Sequence, residues 1–255
     1  MSKPAAALEE LLEIQKRLLA PGGCPWDREQ THQSLVRYLI EETYEVIEAI
    51  DQGDMHKLQE ELGDLLLQVV FHAALAEQRG DFDFADLTRS VSQKMINRHP
   101  HVFGSMQLKT SDDVLDIWET FKQREGKKYL LDGIPKALPA LMRAEKIQEK
   151  LSRVGYDWPD ISGAWDKLRE EIDELEQAEG QNAVIGETGD VFFALVNVAR
   201  FKKVEVEHAL QSTNDKVMRR FKYIEDVVQG KGQSLDQLSL EEMDAIWDEA
   251  KGQGL

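Results

Sequence analysis

Glu41-Glu42-Thr43-Tyr44-Glu45 followed by Glu61-Leu62-Gly63-Asp64 is a pair of short acidic runs, and the pair recurs as Glu170-Glu171-Ile172-Asp173-Glu174 followed by Glu187-Thr188-Gly189-Asp190. Residues three or four apart share a helix face, so Glu42 with Glu45, and Glu61 with Asp64, each project two carboxylates the same way. Two such helices packed antiparallel gather four or more carboxylates in one place. These repel one another unless cations hold them, and all-oxygen clusters suit hard divalent ions.

Helical periodicity surrounds both runs and extends over most of the chain. Helices are predicted over Leu8–Leu19, Gln33–Ile50, Met55–Glu77, Phe84–Asn97 and Ser111–Arg124. A connection with Gly126, Gly133 and Pro135 follows, the best linker in the chain. Beyond it helices are predicted over Leu141–Arg153, Ala164–Glu179, Val184–Lys202, Glu205–Val228 and Ser239–Lys251, the last opened by a Ser239-x-x-Glu242 capping box. Pro21-Gly22-Gly23 breaks the first helix, and Trp26 and Asp27 are expected to shape the loop after it. His99 and His101, around Pro100, are read as a turn rather than a metal pair.

Further matches keep the order of the acidic runs. Ile14-Gln15-Lys16-Arg17-Leu18 matches Ile147-Gln148-Glu149-Lys150-Leu151, Gly23-Cys24-Pro25-Trp26-Asp27 loosely matches Gly155-Tyr156-Asp157-Trp158, Lys94 and Arg98 match Lys216 and Arg220, and Trp118 and Lys122 match Trp247 and Lys251. The offsets (147−14 = 133, 170−41 = 129, 187−61 = 126, 216−94 = 122, 247−118 = 129) drift only by loop-sized amounts. The chain is read as a tandem duplication of one all-α helical-bundle module, with modules over 1–125 and 140–255 and a linker over 126–139.

Composition narrows the function classes. The 255 residues are 42% hydrophobic and carry 31 basic against 48 acidic side chains, a net charge of −17. Such a surplus lacks the basic footprint of a nucleic-acid or membrane-surface binder. No apolar run approaches a membrane span of roughly 20 residues, and the charged start does not resemble a signal peptide. A single cysteine, Cys24, fits a reducing compartment and a small structural role. A cytoplasmic protein is expected.

Each acidic pair is followed by cations: Lys94, Arg98 and Lys122 in the first module, Lys216, Arg220 and Lys251 in the second. Carboxylates that hold a divalent ion, beside Lys and Arg, make a grip for a polyphosphate. Trp118 and Trp247 are candidates either for a base or ribose contact or for helix packing. Glycine-rich phosphate loops are absent from the sequence, so phosphate binding here falls to side chains and metal.

Glu-Glu-x-x-Glu followed by Glu-x-x-Asp, its tandem copy, the Cys24-Pro25-Trp26-Asp27 run, Arg98-His99-Pro100-His101-Val102-Phe103, Leu138-Pro139-Ala140-Leu141 and Val154-Gly155-Tyr156-Asp157-Trp158 resemble the all-α nucleoside triphosphate pyrophosphohydrolases of MazG type over nearly the whole chain. The resemblance implies Mg²⁺-dependent cleavage of nucleoside and deoxynucleoside triphosphates between the α and β phosphates, with Mn²⁺ as a possible substitute. It further implies broad base tolerance, homodimerisation and nucleotide-pool housekeeping. Matched residue by residue, it makes Glu42, Glu45, Glu61 and Asp64, and Glu171, Glu174, Glu187 and Asp190, the metal ligands. Glu41, Glu42, Glu170 and Glu171 become the catalytic carboxylates. Lys167, Asn214, Lys216, Arg220, Trp247 and Lys251 become nucleotide contacts, with Lys94, Arg98, Trp118 and Lys122 their first-module counterparts.

The copies have diverged. Lys57 and Glu60 of the first module face Ala183 and Gly186 of the second, whereas Lys167 and Asn214 of the second face Tyr38 and Ser92. The greater number of matched nucleotide contacts makes the second module the expected main catalytic one. Two other readings compete: a regulatory protein that senses nucleotide without hydrolysing it, and a di-iron bundle built on Glu29-x-x-His32 and Glu205-x-x-His208.

Overall fold

The computed structural model describes residues 2–106, 110 and 129–255. Among the described residues every regular element is helical, and the chain divides into two compact units, Met1–Lys122 and Gln123–Leu255. The expected all-α class is the observed one. The predicted helix over Ser111–Arg124 and the start of the predicted linker lie outside the described residues.

The first unit contains α1 (Lys3–Leu19), α2 (Pro25–Glu29), α3 (Val36–Gln52), α4 (Met55–Arg79), α5 (Phe84–Arg98) and α6 (Pro100–Phe103). α1 begins five residues before the apolar periodicity (8 − 3 = 5), with Pro4 in its first turn, where a missing N–H costs nothing. Pro25-Trp26-Asp27 is a helical turn rather than a plain loop, again with proline leading. A Cβ at Gly23 would lie 2.2 Å from the Leu18 carbonyl oxygen, so only glycine lets the chain leave α1 this closely. Gly53, at φ 67°, closes α3 in the left-handed region, and Asp54 opens α4 by accepting the His56 and Lys57 N–H groups at 3.0 and 3.1 Å. α4 therefore turns back along α3, and it also packs on α1 and α5. Leu19, Leu35, Phe71 and Leu75 form a buried cluster there, flanked by Tyr38 and Ala74.

The second unit contains α7 (Ala140–Ser152), α8 (Ile161–Gln177), α9 (Gln181–Phe201), α10 (Val206–Gly230) and α11 (Leu240–Gly252), with a 3₁₀ turn at Leu235–Gln237. The stretch before α7 is fastened by Lys150 Nζ, which donates to the Leu130 and Asp132 carbonyls at 2.8 and 3.0 Å. Asp160 caps α8, Gly180 at φ 85° precedes α9, and the Ser239–Glu242 capping box forms with both of its bonds. α9 is the central helix, in contact with α7, α8 and α10. Ala164, Leu168, Ala194 and Val198 join α8 to α9, while Ile224, Val228 and Ile246 join α10 to α11.

Leu35 is 1% exposed at the centre of the first cluster. Its truncation leaves a cavity between α1, α3 and α4, so Leu35→Ala is expected to lower stability by about 2–5 kcal/mol. Urea unfolding of the two proteins measures this; an unchanged midpoint would show that the cluster is not the core of the unit.

Candidate active site

Helix pairing brings the acidic runs together. Glu45 stands as far before Gly53 (53 − 45 = 8) as Glu61 stands after it (61 − 53 = 8), so the reversal sets them side by side. Carboxylate oxygens of Glu42, Glu45 and Glu61 lie within 4.8 Å of one another, as do those of Glu171, Glu187 and Asp190. Each trio comes from both helices of its pair. Asp64 and Glu174, the fourth expected ligand of each set, stand outside these trios but act on them electrostatically. Glu171 is 7% exposed, and Glu61 is nearly as buried at 9%.

The acidity of these groups records the crowding. Partial burial raises the Glu42 carboxyl above its ordinary value, and the negative charges of Asp64, Glu45, Glu61 and Glu41 push it the same way. Glu61 is raised by burial and by Glu45, against the pull of Lys57, and Glu174 by burial and by Glu171. Hard oxygen donors that destabilise one another are a suitable holder for a divalent cation. Neither Glu29 with His32 nor Glu205 with His208 joins these trios. His32 instead shares a hydrogen bond of 2.8 Å with His72, Nδ1 to Nδ1.

The two modules differ most beside the trios. In the second, Lys167 Nζ lies 2.8 Å from Glu170 and 2.7 Å from Glu171, and these bonds push its pKa upward. A cleft of about 400 Å³ opens onto Lys167, Glu171 and Asp190. Its walls include Gln148 of α7, Ala164 of α8, Phe193, Asn197 and Arg200 of α9, and the loop residues Tyr156, Asp157 and Trp158. Trp158 lies across the backbone of Gly163, where a Cβ would come within 2.6 Å of its ring. Arg200 is held by Asp157 at 2.5 Å and by Asn197 Oδ1 at 2.7 and 3.1 Å.

The repeat offsets pair Ala164 with Leu35, Lys167 with Tyr38, Asn197 with Phe71 and Arg200 with Ala74. In the first module those residues all belong to one apolar cluster, with Tyr38 edge-on to Trp26 at 5.8 Å. Where the matched positions of the second module line a cleft, those of the first are packed side chains. Gln148, Asn197 and Arg200 are absent from the residues read as candidates. For Asn197 and Arg200 the signal was available as polar residues standing where the matched copy has Phe71 and Ala74; Gln148, matched by Gln15, gave none.

The other expected nucleotide contacts occupy α10 and α11. Arg220 Nε donates to the Leu255 carbonyl at 2.7 Å with its guanidinium over the Trp247 ring, and Trp247 packs on Ile224, Val228 and Ile246. Lys251 pairs with Asp248 at 2.8 Å; Lys216 is half-buried on α10 and Asn214 exposed. None of these five lines the cleft. In the first unit Lys94 is exposed and Arg98 half-buried on α5. Trp118 and Lys122 lie outside the described residues.

The raised carboxyls fix the sign of a pH effect. A carboxyl whose folded pKa exceeds its unfolded one contributes stability that is present at low pH and is lost as pH rises through the folded value. At neutral pH the ionised Glu42, Glu61 and Glu174 therefore destabilise the metal-free fold, and a divalent cation beside them is expected to relieve this. Added Mg²⁺ or Mn²⁺ is expected to raise the melting temperature at pH 7. The gain is expected to shrink as pH falls toward the ordinary glutamate value of 4.5. A gain independent of pH would place the binding elsewhere.

Comparison with known proteins agrees with this arrangement. The profile of the MazG nucleotide pyrophosphohydrolase domain matches residues 30–103, which carry the first trio. The chain is 44% identical to the nucleoside triphosphate pyrophosphohydrolase/pyrophosphatase MazG of Thermotoga maritima, over 99% of this chain and 98% of that protein. It is also 44% identical to the nucleoside triphosphate pyrophosphohydrolase of Escherichia coli K12, over 96% of this chain and 97% of that one. Among solved structures, a mazG-related protein from Thermotoga maritima is 31% identical, with a TM-score of 0.40 and coverage of 45% of this chain and 98% of that one. With relatives of this identity matched from end to end, the chain belongs to the MazG family of nucleotide pyrophosphohydrolases.

Proposed function

We propose that this protein is a Mg²⁺-dependent nucleoside triphosphate pyrophosphohydrolase of broad base tolerance, converting a nucleoside or deoxynucleoside triphosphate and water into a monophosphate and pyrophosphate. One observation carries the reading: in the second module a cleft of nucleotide dimensions opens onto Glu171 and Asp190 of the carboxylate trio. The names of the relatives support the substrate class. We place the chemistry in the second module, within an organisation of modules over 1–125 and 140–255 joined by 126–139.

Glu171, Glu187 and Asp190, with Glu174 beside them, would hold the ion; Glu42, Glu45, Glu61 and Asp64 would do so in the first module. A bound Mg²⁺ supplies neutralisation of phosphate oxygens and a more acidic water. Glu170, exposed beside Glu171, would orient the attacking water and take its proton, with the α–β bridging oxygen leaving on pyrophosphate. Glu171, the buried member of the Lys167-bonded pair, would serve the ion. Lys167, beside Glu170 and Glu171 and lining the cleft, would turn its charge to the phosphates. Lys216 and Arg220, four residues apart on one face of α10, are assigned to the departing pyrophosphate, with Asn214, Trp247 and Lys251 around the nucleotide. Mn²⁺ offers the same coordination chemistry and is expected to substitute.

Exposed apolar residues support a homodimer. Ile40, Tyr44 and Ile47 on α3 and Leu62 and Leu66 on α4 are 39–52% exposed, and Ile172, Phe192 and Leu195 do the same on α8 and α9. No described helix is long and apolar enough to cross a membrane, which fits the cytoplasmic housekeeping role proposed. No nucleic-acid polymer is expected as a partner, given the charge of −17.

Pyrophosphate release from a panel of NTPs and dNTPs with Mg²⁺ tests the activity; binding without release with every one would leave a nucleotide sensor. Glu171→Gln is expected to lower kcat at least a hundredfold, and Glu42→Gln by less than threefold. Equal losses would refute the assignment to the second module. Sedimentation equilibrium is expected to give the dimer mass, and a monomer at micromolar concentration would remove that part of the reading.

A further inference from the structure

Asn197 has its orientation set by chemistry. Its Oδ1 faces Arg200, whose Nε and one terminal nitrogen both donate to it, at 3.1 and 2.7 Å. A guanidinium has only donors, so the amide oxygen must face it and the amide NH₂ must face away. Arg200 cannot swing to release the oxygen cheaply, because Asp157 holds the same guanidinium at 2.5 Å and both side chains of that ion pair are mostly buried, at 16% and 21% exposure. Asp157 is itself fixed, since its Oδ1 also accepts the Trp158 N–H at 2.9 Å. Asn197 lines the cleft, and the end of its amide turned from Arg200 is a hydrogen-bond donor.

Its surroundings suit a flat heterocycle. Tyr156 and Trp158 come from the loop and Phe193 and Ala194 from α9, and Glu171 and Asp190 of the trio line the same cleft. With a triphosphate at Glu171 and Asp190, the nucleoside end of the substrate enters between these walls. The counterpart of Asn197 in the first module is Phe71, 4% exposed within the packed cluster, which has no donor to offer.

We propose that Asn197 is a specificity-determining residue, whose Arg200-locked amide NH₂ donates to a ring carbonyl of the nucleobase and favours oxo bases over amino bases within a broad substrate range. This rests on the pyrophosphohydrolase reading and on the second module being the active one. Hypoxanthine and adenine differ at position 6 as carbonyl against amino group, and uracil and cytosine differ at position 4 in the same sense. An amino group brought to Asn197 sets donor against donor. One neutral hydrogen bond gained or lost corresponds to about tenfold in kcat/KM.

The test compares kcat/KM for ITP against ATP, and for UTP against CTP, in the wild type and in Asn197→Asp and Asn197→Ala. Each ratio is taken within one preparation, so a partly folded variant does not distort it. The wild type is expected to favour ITP and UTP about tenfold. Asn197→Ala is expected to bring both ratios close to one. Asn197→Asp, which replaces the donor by an acceptor of the same shape, is expected to bring them to one or below. Should a variant turn over too slowly, the same ratios are read as dissociation constants of the α,β-methylene analogues of the four nucleotides. Ratios unmoved by either substitution, or a wild type that favours the amino bases, would overturn the inference while leaving the activity standing. No pyrophosphate from any nucleotide in the wild type would overturn the activity and the inference together.

Discussion

Repulsion among carboxylates is the constraint around which each module is arranged. In both, two helices carry acidic residues on facing sides, and the charges sit within 4.8 Å of one another at the contact. Apolar packing on the other side of the same helices opposes that repulsion: Leu35 and Phe71 between α3 and α4, Ala164, Leu168, Ala194 and Val198 between α8 and α9. The fold thus holds charge in a place it would otherwise leave. This is the condition for a metal site whose ligands stand ready before the ion arrives.

The duplication shows how such a site changes while its ligands persist. Both copies keep the carboxylates, but the neighbouring space has been used in opposite ways. Four positions along α3 and α4 became Leu35, Tyr38, Phe71 and Ala74 and closed into a core; the matched ones on α8 and α9 are Ala164, Lys167, Asn197 and Arg200 and line a cleft. Beside the second trio these positions leave room for more than an ion, whereas in the first module the matched positions are filled by packed side chains. Loss of Lys57 and Glu60 equivalents from the second module leaves these carboxylates in place, because neither residue belongs to a trio.

Much of this was legible in the chain. The 3.6-residue periodicity gave the helices, and the repeated acidic spacing located both trios, because i,i+3 and i,i+4 relations are properties of one helix. The Ser239–Glu242 box was equally local. Errors of reading fell where proline and glycine chemistry is ambiguous: Pro25 leads a helical turn, and α1 starts well before its apolar face does. The cleft residues were missed for a different cause. Asn197 and Arg200 look like ordinary polar positions on a helix until they are set against Phe71 and Ala74, and Gln148 and Asp157 reach the same space from elsewhere in the chain.

The sequence by itself determined the helical class, the repeat and the two sets of carboxylates, since each depends on spacing within a helix or on order along the chain. Which three of each four carboxylates converge, that Asn197 and Arg200 line a cleft beside the second trio, and which way the amide of Asn197 points were decided only by tertiary structure. Those properties depend on how α7, α8 and α9 approach one another and on where the 155–158 loop is pinned by the Asp157–Arg200 pair. Spacing along one helix cannot specify the distance between two.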